Sequence, residues 1–355
     1  MKHILKRIPH ILFVIMLLSF LVSACGSNTG SGDNNGNQIT VHLGYFPNLT
    51  HAVALVGLAR NTFQQAFGSN VKVDTKTFNA GPSLIEALFA GSIDIGYVGP
   101  SPAINGYVKS KGAALRIIAG ASSAGVLFVV RPGANIKTPQ DLNGKKLADP
   151  QLGGTQDVSL RNYLRIHGLK TTDQGGTVRV LPTDNATILT EFKQGQIDGA
   201  WVPEPWASRL VVEAHGTVFL DERSLWPAGK FVTTNVVVST NFLNQHPDLV
   251  TKFLQAHVDT VQYINNNHSS AVSLVNTQLK SLTGKALKTS TIEAAFKDLD
   301  VTYDPLQSSA LTAADDAFQL GYLGKSKPDL SGLYDLAPLN SVLSAKGLPQ
   351  ISSGT

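Results

Sequence analysis

The chain has 355 residues, a formal net charge of +4 and a single cysteine. Its basic residues are scattered rather than gathered into a run or stripe, which argues against a nucleic-acid-binding surface. One cysteine excludes an internal disulfide and a cysteine metal site, and the residues from 39 onward are long for one core and ample for two.

Lys2, Lys6 and Arg7 precede an apolar run at 11–22 that is too short for a comfortable membrane span. The run ends in Val22-Ser23-Ala24-Cys25, which resembles the lipobox of bacterial lipoproteins. Residues 1–25 are therefore expected to be a signal peptide, with Cys25 as the lipidated residue. Residues 26–38 carry no large apolar side chain. They are expected to be a flexible tether with a root-mean-square span of roughly 20 Å. No later stretch is long and apolar enough to cross a bilayer.

Residues 39–44 alternate and predict a strand, followed by a loop at 45–51, a helix over 52–67 and a strand at 71–77. Ala80-Gly81-Pro82-Ser83 opens the next helix, since proline in a first turn forfeits no hydrogen bond. A phrase then appears twice, at 83–103 (SLIEALFAGSIDIGYVGPSPA) and 187–207 (TILTEFKQGQIDGAWVPEPWA). Each copy has a helix-period apolar run, a glycine (Gly91, Gly195) where the helix stops, a short strand (93–98, 197–202) and a proline-rich loop. Asp94 and Asp198 occupy matching positions and read as structural turn-makers. Between the copies come strands at 115–119 and 126–130, a polar stretch, a strand starting at 147, and a helix over 157–167. Arg161 and Arg165, a turn or more inside that helix, are expected to matter little to ligand. After a strand at 178–181 and the second copy, strands follow at 218–220 and 233–239. The chain is mainly helical from 247, with Leu249, Phe253, His257 and Ile264 on one face.

A helix feeding a strand is half of a βαβ unit, so the repeat predicts two α/β lobes of similar build. Lobe I is expected at 39–124 and 233–355, and lobe II at 125–232, with hinge crossings near 122–126 and 233–238. Ligands of open α/β sheets bind beyond the carboxyl ends of the strands, so the paired loops should face a cleft.

At GYFPNLTHA (44–52), FNAGPSLIEALFAGSIDIGYVG (78–99), PQLGGTQDVSLRNYL (150–164) and GQIDGAWVPEPWA (195–207) the sequence resembles solute-binding proteins of the nitrate, sulfonate and taurine branch of ABC importers. Within that branch it is most like the aliphatic-sulfonate binders. The resemblance implies a two-lobe, type II periplasmic-binding-protein-like fold. It also implies a monomeric, lipid-anchored, extracytoplasmic receptor that delivers a small organic anion to an ABC permease, with no cofactor, no metal and no catalysis. Nitrate, bicarbonate or a thiamine-precursor pyrimidine are alternative ligands. A thiamine-precursor synthase is the alternative from another class, disfavoured because that chemistry goes with cysteine and histidine clusters around iron.

An alkanesulfonate head is a permanent anion with three acceptor oxygens, suited to the free N–H groups and partial positive charge of helix N-termini. Candidate starts are Gly81-Pro82-Ser83, Gly153-Gly154-Thr155-Gln156 and Asn48-Leu49-Thr50-His51. Gly99, Ser101, Glu204 and Trp206 belong to the loops that close the repeat copies. Trp206 with Tyr45 or Phe46 is placed to cover an alkyl chain. Glu204 either accepts from helix N–H groups, meets an amine on the ligand, or points outward toward the permease. His51 either bonds the anion, making binding pH-sensitive, or is a partly exposed capping residue.

Overall fold

The structure, a computed structural model, describes residues 38–352. The signal peptide, Cys25 and the tether lie outside the described residues. In the first lobe, β1 (Ile39–Tyr45), α1 (Ala52–Ala59), α2 (Thr62–Phe67), β2 (Val71–Thr77), α3 (Gly81–Phe89), β3 (Ile95–Val98), α4 (Pro100–Lys109) and β4 (Leu115–Ala124) follow one another. The second lobe holds β5 (Val126–Val130), β6 (Lys146–Asp149), α5 (Thr155–Ile166), β7 (Arg179–Pro182), α6 (Asn185–Lys193), β8 (Gly199–Pro203), α7 (Trp206–Ala214) and β9 (Thr217–Asp221). The chain then returns through β10 (Val232–Ser239), α8 (Thr240–Gln245), α9 (Pro247–Asn266), α10 (His268–Thr283), α11 (Thr289–Lys297), β11 (Leu299–Val301), α12 (Gln307–Gln319) and α13 (Ala337–Ala345).

The strands form two sheets, ordered β11-β4-β10-β3-β1-β2 and β7-β6-β8-β5-β9. The sheets share a plan. A parallel trio (β2-β1-β3; β7-β6-β8) is followed by an antiparallel strand (β10; β5) and then by a further strand (β4; β9) antiparallel to it. The fourth strand of each sheet is where the chain changes lobe. Ala124 and Gly125, both left-handed (φ 61 and 71), join β4 to β5, and residues 222–231 join β9 to β10. This is the two-lobed α/β fold that the repeat predicts.

Successive side chains of a strand face opposite ways, and both sheets are covered on both faces. In β10, Val236 and Val238 enter one core and Val237 the other. In β5, Val126, Phe128 and Val130 face one core while Leu127 and Val129 face its opposite. The apolar stripe of α9 packs on the first sheet as expected, with Leu249, Phe253, His257 and Ile264 all buried.

Three expectations need correction. The helix predicted over 52–67 is two helices, broken at Asn61, which is left-handed (φ 58). The repeat strands start two residues later than predicted, at Ile95 and Gly199. The proline-rich segments are helix starts rather than loops. Pro100 is the first residue of α4, and Pro205 stands immediately before α7.

Candidate functional site

In each parallel trio the chain runs from the central strand to one side and then back to the other, which creates a crevice at the carboxyl ends of β1 and β3 and of β6 and β8. The two crevices face each other and share one small cavity of about 30 Å³. Residues following β1 (Phe46, Asn48, Thr50, His51), β2 (Asn79, Ala80) and β3 (Gly99) line it from the first lobe. Residues following β6 (Pro150, Gly154, Thr155, Gln156), β7 (Asn185) and the end of β8 (Pro203) line it from the second, and Thr233 and Thr234 of β10 close it.

Three helices begin at this cavity, and their N-cap residues Ala80 (α3), Gly99 (α4) and Gly154 (α5) all belong to its wall. None of the three caps makes a side-chain hydrogen bond to its helix. The first-turn N–H groups are orphans of helix geometry and carry the positive end of the helix dipole. In α4, Pro100 and Pro102 leave Ser101 as the donor of the first three positions. A fourth helix, α6, starts nearby with Asn185, but Asp184 already accepts from Ala186 N and Thr187 N.

Side chains add further polar groups, the threonine hydroxyls as donors and the Asn185 amide oxygen as an acceptor. Thr155 Oγ1, Asn185 Oδ1 and Thr234 Oγ1 are buried in the wall with no partner, and so is Ser101 Oγ in the first turn of α4. Buried polar groups are nearly always paired, so three unpaired ones in the wall of one cavity point to a polar ligand. Gly99 is required where it stands, because a Cβ there would lie 2.1 Å from Thr155 Oγ1 across the lobe boundary.

The wall carries little charge. Among the described residues lining it, none is a lysine, arginine, aspartate or glutamate. His51 is buried and packs against Phe46, with ring centroids 4.2 Å apart and the rings tilted by 33°. Phe46 N donates to its Nδ1 at 3.3 Å, which assigns the ring proton to Nε2. Burial drives its pKa down to about 3, so it is a neutral donor. The partly exposed reading of His51 gives way to this burial. Just behind Pro150, the Asp149 carboxyl is fully buried beside Asp157, and desolvation with that neighbour raises its pKa well above the usual range. Asp157 in turn is bound by Arg161 Nε at 2.7 Å.

Of the residues singled out from sequence, Asn48, Thr50, His51, Gly81, Gly99, Gly154, Thr155 and Gln156 line the cavity. Pro82, Ser83, Ser101, Gly153, Glu204 and Trp206 lie outside its lining. Ser83 instead meets Gln151 of the other lobe at 3.3 Å. Gly153 supplies a left-handed turn (φ 74), and its N–H donates to Asp157 Oδ2. Glu204 is fully buried, which rules out an outward role, and its carboxylate accepts from Ser208 N and Oγ in the first turn of α7. Trp206 donates from Nε1 to Asn48 Oδ1 at 2.9 Å, joining the lobes. It lines a second, larger space of about 460 Å³ that shares Asn48, Asn79 and Asn185 with the cavity and adds Phe78, Leu282 and Leu287. Sequence reading missed Asn79, Pro150, Thr233 and Thr234. The available signal was two threonines and an asparagine inside a strand otherwise suited to full burial.

A family model described as the NMT1-like family matches residues 34–276. The taurine-binding periplasmic protein of Escherichia coli strain K12 is 31% identical over 197 residues, which is 56% of this chain and 58% of that protein. The chain thus spans little more than half the length of that curated relative. Among solved structures, the alkanesulfonate-binding protein of Xanthomonas axonopodis pv. citri bound to MOPS superposes with a TM-score of 0.68 at 20% identity, covering 83% of this chain and 98% of that one. The periplasmic nitrate-binding protein of Synechocystis PCC 6803 superposes with a TM-score of 0.75 at 15% identity, covering 89% and 92%.

Proposed function

The chain belongs to the NMT1-like family, and from that premise we propose that it is the extracytoplasmic solute-binding component of an ABC importer, a receptor rather than an enzyme, that takes an organic sulfonate by its anionic head. The observation that carries this is the convergence of three uncapped helix N-termini and the two unpartnered buried hydroxyls of Thr155 and Thr234 in the wall of one uncharged cavity. Each helix start contributes about 0.3–1 kcal/mol to holding an anion, and more where water is excluded. A cavity of about 30 Å³ takes the head alone. The adjoining space beside Trp206 and Phe78 has room for the tail, which favours an organic anion over nitrate or sulfate.

Calorimetric titration of the mature protein with ethanesulfonate, taurine, sulfate and nitrate tests the reading. Sulfonates should bind at least about a hundredfold, or about 2.7 kcal/mol, more tightly than the inorganic anions. Nitrate binding as tightly as any sulfonate would overturn the assignment of an organic ligand. The membrane attachment rests on Val22-Ser23-Ala24-Cys25. Cys25→Ser should leave ligand binding intact and release the protein from the membrane fraction. Retention of the processed variant there would refute the lipid anchor.

A further inference from the structure

The chamber of about 460 Å³ that adjoins the anion cavity differs from it in charge. Its apolar wall is formed by Phe78, Trp206, Leu282 and Leu287. Its volume falls within the roughly 300–1,000 Å³ of small-molecule sites, so the tail it takes is larger than an ethyl group. Asn185 belongs to both walls. It is buried, and its Oδ1 has no partner among the described residues. Half a turn of the amide presents Nδ2 at the same point. An unpaired buried amide at the junction points to a ligand that runs from one space into the other.

The inner cavity is lined by no lysine or arginine, whereas the chamber is lined by Arg209 and Lys285. Arg209, half-buried on α7, is held in place from two sides. Its guanidinium lies 4.6 Å from the Trp206 ring centroid, and its Nε donates to Glu213 Oε1 at 2.7 Å. Among the described residues, neither Nη group of Arg209 makes a hydrogen bond. Glu213 is shared with Lys193 at 3.0 Å, so it does not cancel both cations. Lys285 is exposed, and among the described residues it forms no ion pair. The one carboxylate of the lining, Asp184, already accepts from Ala186 N, Thr187 N and Thr187 Oγ1 as the cap of α6. A guanidinium fixed through Nε, with its terminal nitrogens unused, is suited to a carboxylate or a second sulfonate.

We propose that the chamber reads the far end of the ligand, and that the preferred substrates are sulfonates whose apolar body ends in a second anionic group. The sulfonate head occupies the inner cavity, the body passes Asn185 and lies along Trp206 and Phe78, and the second anion meets Arg209 and Lys285. This rests on the sulfonate-receptor reading and narrows it.

The test is calorimetric titration of the mature protein with 4-sulfobenzoate, with toluene-4-sulfonate as the monoanion of nearly the same shape and ethanesulfonate as the short reference. The dianion should bind at least about tenfold more tightly than toluene-4-sulfonate, and added salt should shrink that ratio. Arg209→Gln and Lys285→Glu should each reduce the ratio at least about fivefold. Lys285 is exposed and unpaired, so its variant decides the matter even if Arg209→Gln does not fold. Binding of ethanesulfonate with no preference for the dianion, or a preference that Lys285→Glu leaves intact, would overturn this proposal alone. Failure of all three sulfonates to bind would overturn the receptor reading, and this proposal with it.

Discussion

At the scale of single residues, the repeat shows what its two aspartates do. Asp94 Oδ2 accepts from His42 N at 2.8 Å, and Asp198 Oδ2 accepts from Lys146 N at 3.0 Å. Each aspartate also donates its own N–H to the carbonyl of the same residue, His42 or Lys146. Each thus ties the segment before its strand to the central strand of its trio, which is a structural role. Arg161 has a structural role, separate from the expectation that it matters little to ligand. It is buried, and it neutralises Asp157, which also receives Gly153 N and the Tyr322 hydroxyl of the other lobe. Arg161→Gln should therefore cost about 3–5 kcal/mol, the usual penalty for stranding one partner of a buried pair. Arg165→Gln should be close to neutral, because among the described residues Arg165 hydrogen-bonds Asn162 on the surface and otherwise acts on Asp316 by charge alone, and surface charge interactions are worth little. Urea melts of the two variants check both. Gly154 is the residue where a side chain should harm binding directly. Its own φ of −73 is ordinary, so the left-handed glycine of the pair is Gly153, but a Cβ at Gly154 would lie 2.8 Å from Gln151 O. Gly154→Val should lower anion affinity at least about tenfold in a titration, and a folded variant with parental affinity would contradict the site.

Among the elements, α7 is held by a group whose charge depends on pH. Burial raises the pKa of Glu204 from 4.5 to about 8, so the folded protein favours its protonated form. A folded pKa above the unfolded one gives stability that is complete below pH 4.5 and lost as pH rises through 8. His51 and His257 act in the opposite sense. Burial lowers them from 6.5 to about 3 and about 4, so their contribution is complete above pH 6.5 and lost as pH falls. Glu204→Gln keeps a neutral group of the same shape and leaves the backbone bond from Leu49 N to Glu204 O in place. The variant should lose less stability than the parent between pH 4.5 and 8, by an amount on the order of a few kcal/mol. Parallel pH profiles of denaturation midpoints would measure the difference. Identical profiles would mean that Glu204 does not titrate in this window.

At the scale of the whole molecule, the lobes are fastened around the cavity by direct bonds. Leu49 N donates to Glu204 O at 2.9 Å, Trp206 Nε1 to Asn48 Oδ1 at 2.9 Å, and Arg223 pairs with Asp298 at 2.8 Å. Opposing these are only two chain crossings, one of them the short left-handed pair Ala124-Gly125. Ligand that bonds both lobes should shift the population toward this fastened arrangement. Small-angle scattering of the mature protein with saturating sulfonate should approach the roughly 20 Å radius of gyration of one compact body of this length, with a larger value when ligand is absent. A radius that does not change at saturation would argue against closure on ligand.

The repeat, the alternation of its strands and the glycines that end its helices were readable from the chain, because each is a local pattern with a local cause. Gly91 and Gly195 do take the left-handed conformation (φ 69 and 70) expected of them. The two-lobed plan followed, since a helix and strand of that pattern can bury their apolar faces in few ways. The candidate site was legible in part, through glycine-bearing helix starts such as Gly81 and Gly154. What tertiary structure alone decided was which of these starts meet. Thr155 reaches Gly99 from 56 positions away in sequence, Thr233 and Thr234 enter the cavity on a strand that returns from the other lobe, and Glu204 turns inward to α7 rather than toward ligand or solvent. Sequence patterns report which face of an element is buried, whereas a site built from the ends of many elements depends on how those elements cross. That is set by the packing of both sheets together.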